Sequence, residues 1–79
     1  MRLDKYLKVS RLIKRRTLAA DACTAGKVAV NGSVSKPSYT VKVGDVIEIT
    51  LGNSTTKVEV IALKESTKKE DASLMYKNI

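Results

Sequence analysis

The chain has 79 residues, 15 Lys and Arg against 8 Asp and Glu, no His, and a formal net charge of +7. That length holds one small domain with little room for a deep catalytic cleft, while 43% hydrophobic residues suit a packed core and are too many for a disordered polycation. A single cysteine, Cys23, excludes an internal disulfide framework, and without His there is neither a plausible zinc site nor a His-activated nucleophile.

From Arg2 to Val9, the apolar residues Leu3, Tyr6 and Leu7 recur at helical spacing and predict a short amphipathic helix, with Arg2, Lys5 and Lys8 on a neighbouring stripe. Asp4 in its first turn suits the helix dipole; alternatively it pairs with an Arg of the next helix and orients it. Ser10 to Lys14 reads as a connector with an apolar plug at Leu12 and Ile13. A second helix is predicted from about Arg15 to Ala25, burying Leu18, Ala22 and Ala25 or Cys23, with Ala19 and Ala20 allowing close approach and Gly26 ending it in a left-handed conformation. Cys23 reads as a small buried hydrophobe in preference to a redox or catalytic thiol.

Lys27–Val30, Asn31-Gly32 and Ser33-Val34 form a strand, a type I′ turn and a returning strand, since both central turn residues tolerate positive φ. Pro37 has no amide hydrogen, so Lys36–Tyr39 should leave regular pairing. Val43-Gly44-Asp45 is a further turn, where Asp45 reads as a turn residue and not as a catalytic acid. It opens a strand over Val46–Leu51 with Ile47, Ile49 and Leu51 on one face. Gly52-Asn53 turns again, and a last strand is expected from about Thr56 to Leu63. The polar stretch 66–71 reads as a surface connection, and 72–76 as at most one docked helical turn. The fold class is therefore α+β, two short N-terminal helices packed on a small antiparallel sheet, with a domain over 1–65 and a short tail over 66–79.

The charge is uneven. Residues 1–36 hold nine bases and two acids, whereas residues 37–79 hold six of each, so the entire excess lies in the first part. Such clustering opposes folding, and a polyanionic partner explains it better than a generic solubility charge. Arg2 and Lys5 lie on one edge of the first helix, and Lys14, Arg15 and Arg16 gather where the second begins, so their donors converge with free helix amides that favour phosphate. A DNA-reading helix-turn-helix is disfavoured because the body of the second helix, Leu18 to Ala25, offers almost nothing to read base edges. A stacking sheet is disfavoured by three Tyr and no Phe or Trp, which leaves structured RNA read by shape and phosphate geometry. No apolar stretch approaches the ~20 residues of a membrane span, and Met1–Lys5 shows no signal-peptide core, so a reduced cytoplasmic protein is expected.

Arg2-Leu3-Asp4-Lys5-Tyr6-Leu7, Arg16-Thr17-Leu18-Ala19, Gly26-Lys27-Val28, Val30-Asn31-Gly32, Lys36-Pro37-Ser38 and Gly44-Asp45 closely resemble, in order and spacing, the S4-type RNA-binding domain, also called the alpha-L RNA-binding motif. The resemblance covers about residues 1–50. Within that family the chain is most similar to the branch holding the fifteen-kilodalton heat-shock protein and its shorter RqcP-like relatives, and it lacks the longer basic C-terminal extension of the heat-shock form. The resemblance implies a ribosome-associated, non-enzymatic factor without cofactor, metal or small-molecule substrate. It would bind large-subunit rRNA and tRNA on subunits obstructed by peptidyl-tRNA, alongside an RqcH-like factor that tails the stalled chain with alanine. The RNA-contacting positions it implies are Arg2, Lys5, Lys14, Arg16 and Thr17, with Asn31, Lys36 and Ser38 on the adjoining hairpin and loop. Arg15 departs from the Ser common there, which leaves the capping of the second helix open and offers an extra phosphate contact. The alternatives are a helix-turn-helix-like DNA-binding protein and an RNA-binding accessory of an rRNA-modifying enzyme.

Overall fold

A computed structural model describes residues 1–64, 68, 72 and 74–79. Helix α1 spans Leu3–Val9 and buries Leu3, Tyr6 and Leu7 completely, as their spacing predicts. It ends at Ser10, after which Arg11 takes a left-handed φ of 62° and donates its amide to the Lys8 carbonyl at 3.0 Å. The buried side chain of Ile13 plugs the connection.

Helix α2 spans Arg16–Thr24 and packs on α1 through Ala19, Ala22 and Cys23. Leu18, expected inside, is 52% exposed, and Ala25 is exposed as well. Ala22 and Cys23 are buried as expected and Ala19 makes the close approach, so Leu18 alone is displaced: the large side chains of α1 leave space for small partners only, and Ala19 fits where Leu18 would not. Gly26 ends this segment with φ 77°.

The five strands are β1 Val28–Val30, β2 Ser33–Val34, β3 Val46–Leu51, β4 Ser54–Val60 and β5 Tyr76–Asn78, all antiparallel in the order β2-β1-β3-β4-β5. Asn31 and Gly32 form the two-residue turn between β1 and β2 with φ 52° and 85°, the pair of positive values a type I′ turn needs. One sheet face sends Val28, Val30, Ile47, Ile49, Val58 and Val60 into the core beneath the helices. The other sets Glu48 opposite Lys57 and Glu59 opposite Lys77, the latter pair 3.6 Å apart. Strand β4 starts two residues earlier than expected because Leu51 pairs with Ser54 across the Gly52-Asn53 turn. It stops at Val60 because the amides of Ile61 and Ala62 both turn to the Met75 carbonyl, at 2.8 and 3.1 Å.

The stretch expected as a tail supplies an edge strand. Ala72 and Met75 are buried, the Tyr6 hydroxyl donates to the Met75 carbonyl at 2.8 Å, and Tyr76–Asn78 pairs with β4. Apart from Lys68, which is exposed, the surface connection expected over 66–71 lies outside the described residues. Among the described residues no helix is long and apolar enough to cross a membrane, and no cluster of His, Cys, Asp and Glu is placed to hold a metal.

Candidate nucleic-acid interface

The site begins with how each helix starts. A helix leaves its first amides without intrahelical partners. In α1 those amides are taken: Leu3 donates to the Tyr39 carbonyl at 2.7 Å, Asp4 to the Pro37 carbonyl at 3.1 Å, and Lys5 to its neighbour's carboxylate, Asp4 Oδ1, at 2.8 Å. Pro37, which takes that stretch out of the sheet, thus presents its loop's carbonyls to α1. Arg2 adds a bridge to Thr40, and Val41 donates to the Met1 carbonyl at 2.9 Å.

Asp45 holds that loop in place. Its buried carboxylate accepts the Asn31 side-chain amide at 3.0 Å through Oδ1, and the Tyr39 hydroxyl and Lys42 amide, each at 2.9 Å, through Oδ2. Burial alone would raise its pKa, but the bonds from Lys42, Asn31 and Tyr39 and the Lys42 charge outweigh burial and hold it below the usual carboxylate value. The same bond to Asp45, reinforced by burial and by the carboxylate charge, pushes the Tyr39 phenol up. Asp45 is therefore a turn residue, as expected, and also the fastener that ties the connection between β2 and β3 to itself and to the Asn31-Gly32 turn.

Helix α2 starts differently. Its N-cap is Arg15, with extended backbone angles and no side-chain cap. Among the described residues no acceptor takes the amides of Arg16, Thr17 and Leu18, and the first paired amide is that of Ala19, bonded to the Arg15 carbonyl at 3.0 Å. Three amides and the positive end of the helix dipole thus face outward among the exposed Lys14, Arg15, Arg16 and Thr17.

Asp4 joins the two helices. Its side chain is 6% exposed, accepts Arg2 Nε and Nη2 at 3.2 Å each, and lies 3.6 Å from Arg16 Nε. Burial pushes its carboxyl up, but the Arg2 bonds, the Lys5 amide and the charges of Arg16 and Arg2 prevail, so its pKa is lowered. Both arginines keep about half of their side-chain surface in solvent, at 54% and 50%. One buried anion thus fixes two exposed cations from different helices. Nearby, burial and the Asp4 charge push the Cys23 thiol up to about 11, so it is an unreactive core group at neutral pH.

The structure also sets Arg2 beside Lys36 and Ser38, across a groove between the helices and the loop. Lys5 is half-buried on the α1 edge. Asn31 is not brought into this group: its Nδ2 is spent on Asp45, its Oδ1 accepts the Val46 amide at 2.9 Å, and it borders a different hollow with Glu48 and Lys57. Sequence reasoning did not foresee the α1-capping loop or its Asp45 fastener, since backbone acceptors leave no signature in residue type.

A family model described as S4 domain matches residues 1–47. Over all 79 residues the chain is 54% identical to the RQC P-site tRNA stabilizing factor of Streptococcus pneumoniae, covering 90% of that protein. It is 51% identical over 76 residues to the factor of the same name from Bacillus subtilis, covering 96% of this chain and 88% of the relative. Among solved structures, heat shock protein 15 of Vibrio cholerae superposes with a TM-score of 0.94 at 30% identity, over the whole of this chain and 81% of that one.

Proposed function

We propose a function on the ground that this chain belongs to the S4 domain family, alongside the RQC P-site tRNA stabilizing factors: it is a non-enzymatic RNA-binding factor of bacterial ribosome quality control. The observation that carries the reading is the contrast between the two helix starts. The amides of α1 are consumed by the protein, while those of α2 stay open among four exposed residues rich in positive charge and beside an arginine pair already held by Asp4. That arrangement suits RNA phosphates, which accept from amides and from guanidinium groups in fixed geometry.

In this reading Arg2, Lys5, Lys14, Arg15, Arg16, Thr17, Lys36 and Ser38 meet RNA. Asp4 orients the two arginines, and Asn31 contributes by framing the hairpin. The relatives' name supports tRNA in the P site as one partner. The family resemblance supports the finer assignment: cytoplasmic binding to rRNA and tRNA on obstructed large subunits, in support of alanine tailing by an RqcH-like factor.

Sucrose-gradient sedimentation of lysate tests it. The protein should travel with large subunits that carry tRNA, and protein confined to the top fractions would overturn the reading. Arg16→Ala should release the protein with little change in thermal melting, and should lower the salt dependence of RNA binding by roughly 0.7 to 0.9 log units per log unit of salt, one phosphate contact. Equal loss of folding and binding would make Arg16 structural. Preference for duplex DNA over structured RNA at matched salt would reverse the choice of partner.

A further inference from the structure

The groove between Arg2 and Lys36 has a volume of about 480 Å³, within the range of small-ligand sites. Its walls are not those of a simple phosphate site. Val34, Pro37 and the buried Cys23 line it with apolar surface, between two cations and the Ser38 hydroxyl. Val34 is 66% exposed, the most exposed large hydrophobic side chain among the described residues. It stands on the short edge strand β2, beside the loop that caps α1.

Arg2 brings a second unusual property. Its Nε and one Nη2 hydrogen are committed to Asp4, so its plane is set by a buried carboxylate, while its other three N–H donors make no bond among the described residues. A guanidinium held in this way offers a fixed flat face beside an apolar wall. No tyrosine lines the groove: Tyr6 is buried, and Tyr39 and Tyr76 are partly buried against the core. Unpaired bases stack on aromatic rings or on arginine planes, and duplex RNA, whose bases are already stacked, has no use for an apolar slot.

We propose that this groove is a slot for one unpaired nucleotide of the bound RNA, the base lying on Val34, Pro37 and the Arg2 face and its phosphate on Lys36. The inference rests on the RNA-binding reading and goes beyond it, because phosphate contacts alone do not distinguish paired from unpaired RNA. The protein then selects RNA with a bulged or flipped residue at the distance of this groove from the α2 N-terminus.

Fluorescence anisotropy with two RNA hairpins closed by the same GAAA loop, whose bases stack on one another, tests it: one has a fully paired stem and the other a single bulged adenosine in that stem. The bulged hairpin should bind about tenfold more tightly, the scale of one base stacked on a protein surface. Val34→Ser should remove most of that advantage and leave the paired hairpin's affinity unchanged, and Val34→Ile should restore it. Amide NMR titration adds a readout free of RNA structure: adenosine 5′-monophosphate should shift Val34, on the wall that meets the base, and ribose 5-phosphate, which has no base, should not. Equal binding of the two hairpins, an advantage that survives Val34→Ser, or equal shifts with both small probes would overturn the slot while leaving RNA binding in place. Failure of both hairpins to bind would overturn the RNA reading itself.

Discussion

Replacing Asp4 with Asn separates two ways an acidic residue can act inside a basic surface. The carboxylate accepts two bonds from Arg2 and one from the Lys5 amide, and it lies within ion-pair distance of Arg16. Asn retains one oxygen, enough for the Lys5 amide, but turns an NH2 group towards donors of Arg2. Hydrogen bonds to charged groups contribute about 1.5–3 kcal/mol each when sheltered, but both arginines are half in solvent, so screening reduces the total to about 1–2 kcal/mol. For a chain of this size that is a fall in Tm of about 5–10 °C. Binding gives the sharper result. The substitution raises net charge from +7 to +8, and if charge alone mattered, RNA would bind more tightly, with a salt slope steeper by about 0.7–0.9. If Asp4 acts by holding Arg2 and Arg16 in place, immobilising each side chain on binding newly costs about 0.5–1.5 kcal/mol. The balance is then a loss of about tenfold in affinity at moderate salt, by the same per-side-chain cost. Anisotropy titrations of a structured RNA across a salt series, beside calorimetric melting, read both quantities. Tighter RNA binding by Asp4→Asn with unchanged Tm would refute the orienting role.

Acidification should act on Asp4 and Asp45 together. Both have folded-state pKa values below their unfolded value, so the unfolded chain takes up protons first: their stabilisation is complete above about pH 4 and is lost as pH falls through the folded values. Thermal melts between pH 6 and pH 2 should show this, and a Tm constant down to pH 2 would contradict it. Asp45→Ala removes three bonds from a buried site and should cost about 2–4 kcal/mol, measured by urea denaturation. Amide exchange at Leu3 and Asp4 should quicken as the loop that caps α1 loosens, and unchanged exchange would detach Asp45 from that role. Arg11 holds a left-handed φ that side chains with a Cβ disfavour by about 1–2 kcal/mol, partly offset by the greater unfolded-state entropy of Gly, so Arg11→Gly should raise stability by up to about 1 kcal/mol. A lowered Tm would mean that the Arg11 side chain contributes a contact of its own.

The elements most legible in the sequence are those whose signal is local. Asn31-Gly32 declares its turn through the two positive φ values it accommodates, and Val46–Leu51 declares a strand through strict alternation between turns. The two-helix, antiparallel-sheet layout follows from these signals, and the charge asymmetry marks which part of it carries the exposed cluster of bases. What was illegible depends on partners distant in the chain. Leu18 and Ala19 are both apolar and both compatible with a helical stripe, and the choice between them is made by the bulk of Leu3, Tyr6 and Leu7 across the interface. Strand β5 is three residues with no alternation to detect, and it exists because β4 offers an open edge and Met75 a buried anchor. In the candidate site, the basic residues were legible by type and spacing. That Asn31 is spent on Asp45 and Val46 was not, because an exposed turn amide looks the same whether it awaits a ligand or closes a loop.

The bond from Tyr6 to Met75 joins positions 69 residues apart, and it has a kinetic consequence. Closing a loop of that size costs on the order of 4 kcal/mol in chain entropy, a cost that must be met before the contact gives any return. The apolar face of α1 is synthesised well before the Met75 segment that covers it, by roughly 4–14 s at typical elongation rates. Such non-local closure slows folding relative to a helical bundle of equal length. The arginine edge, which depends on a seated α1, therefore matures as a late event of folding, after the pairing of β5 has locked the first helix under its cover.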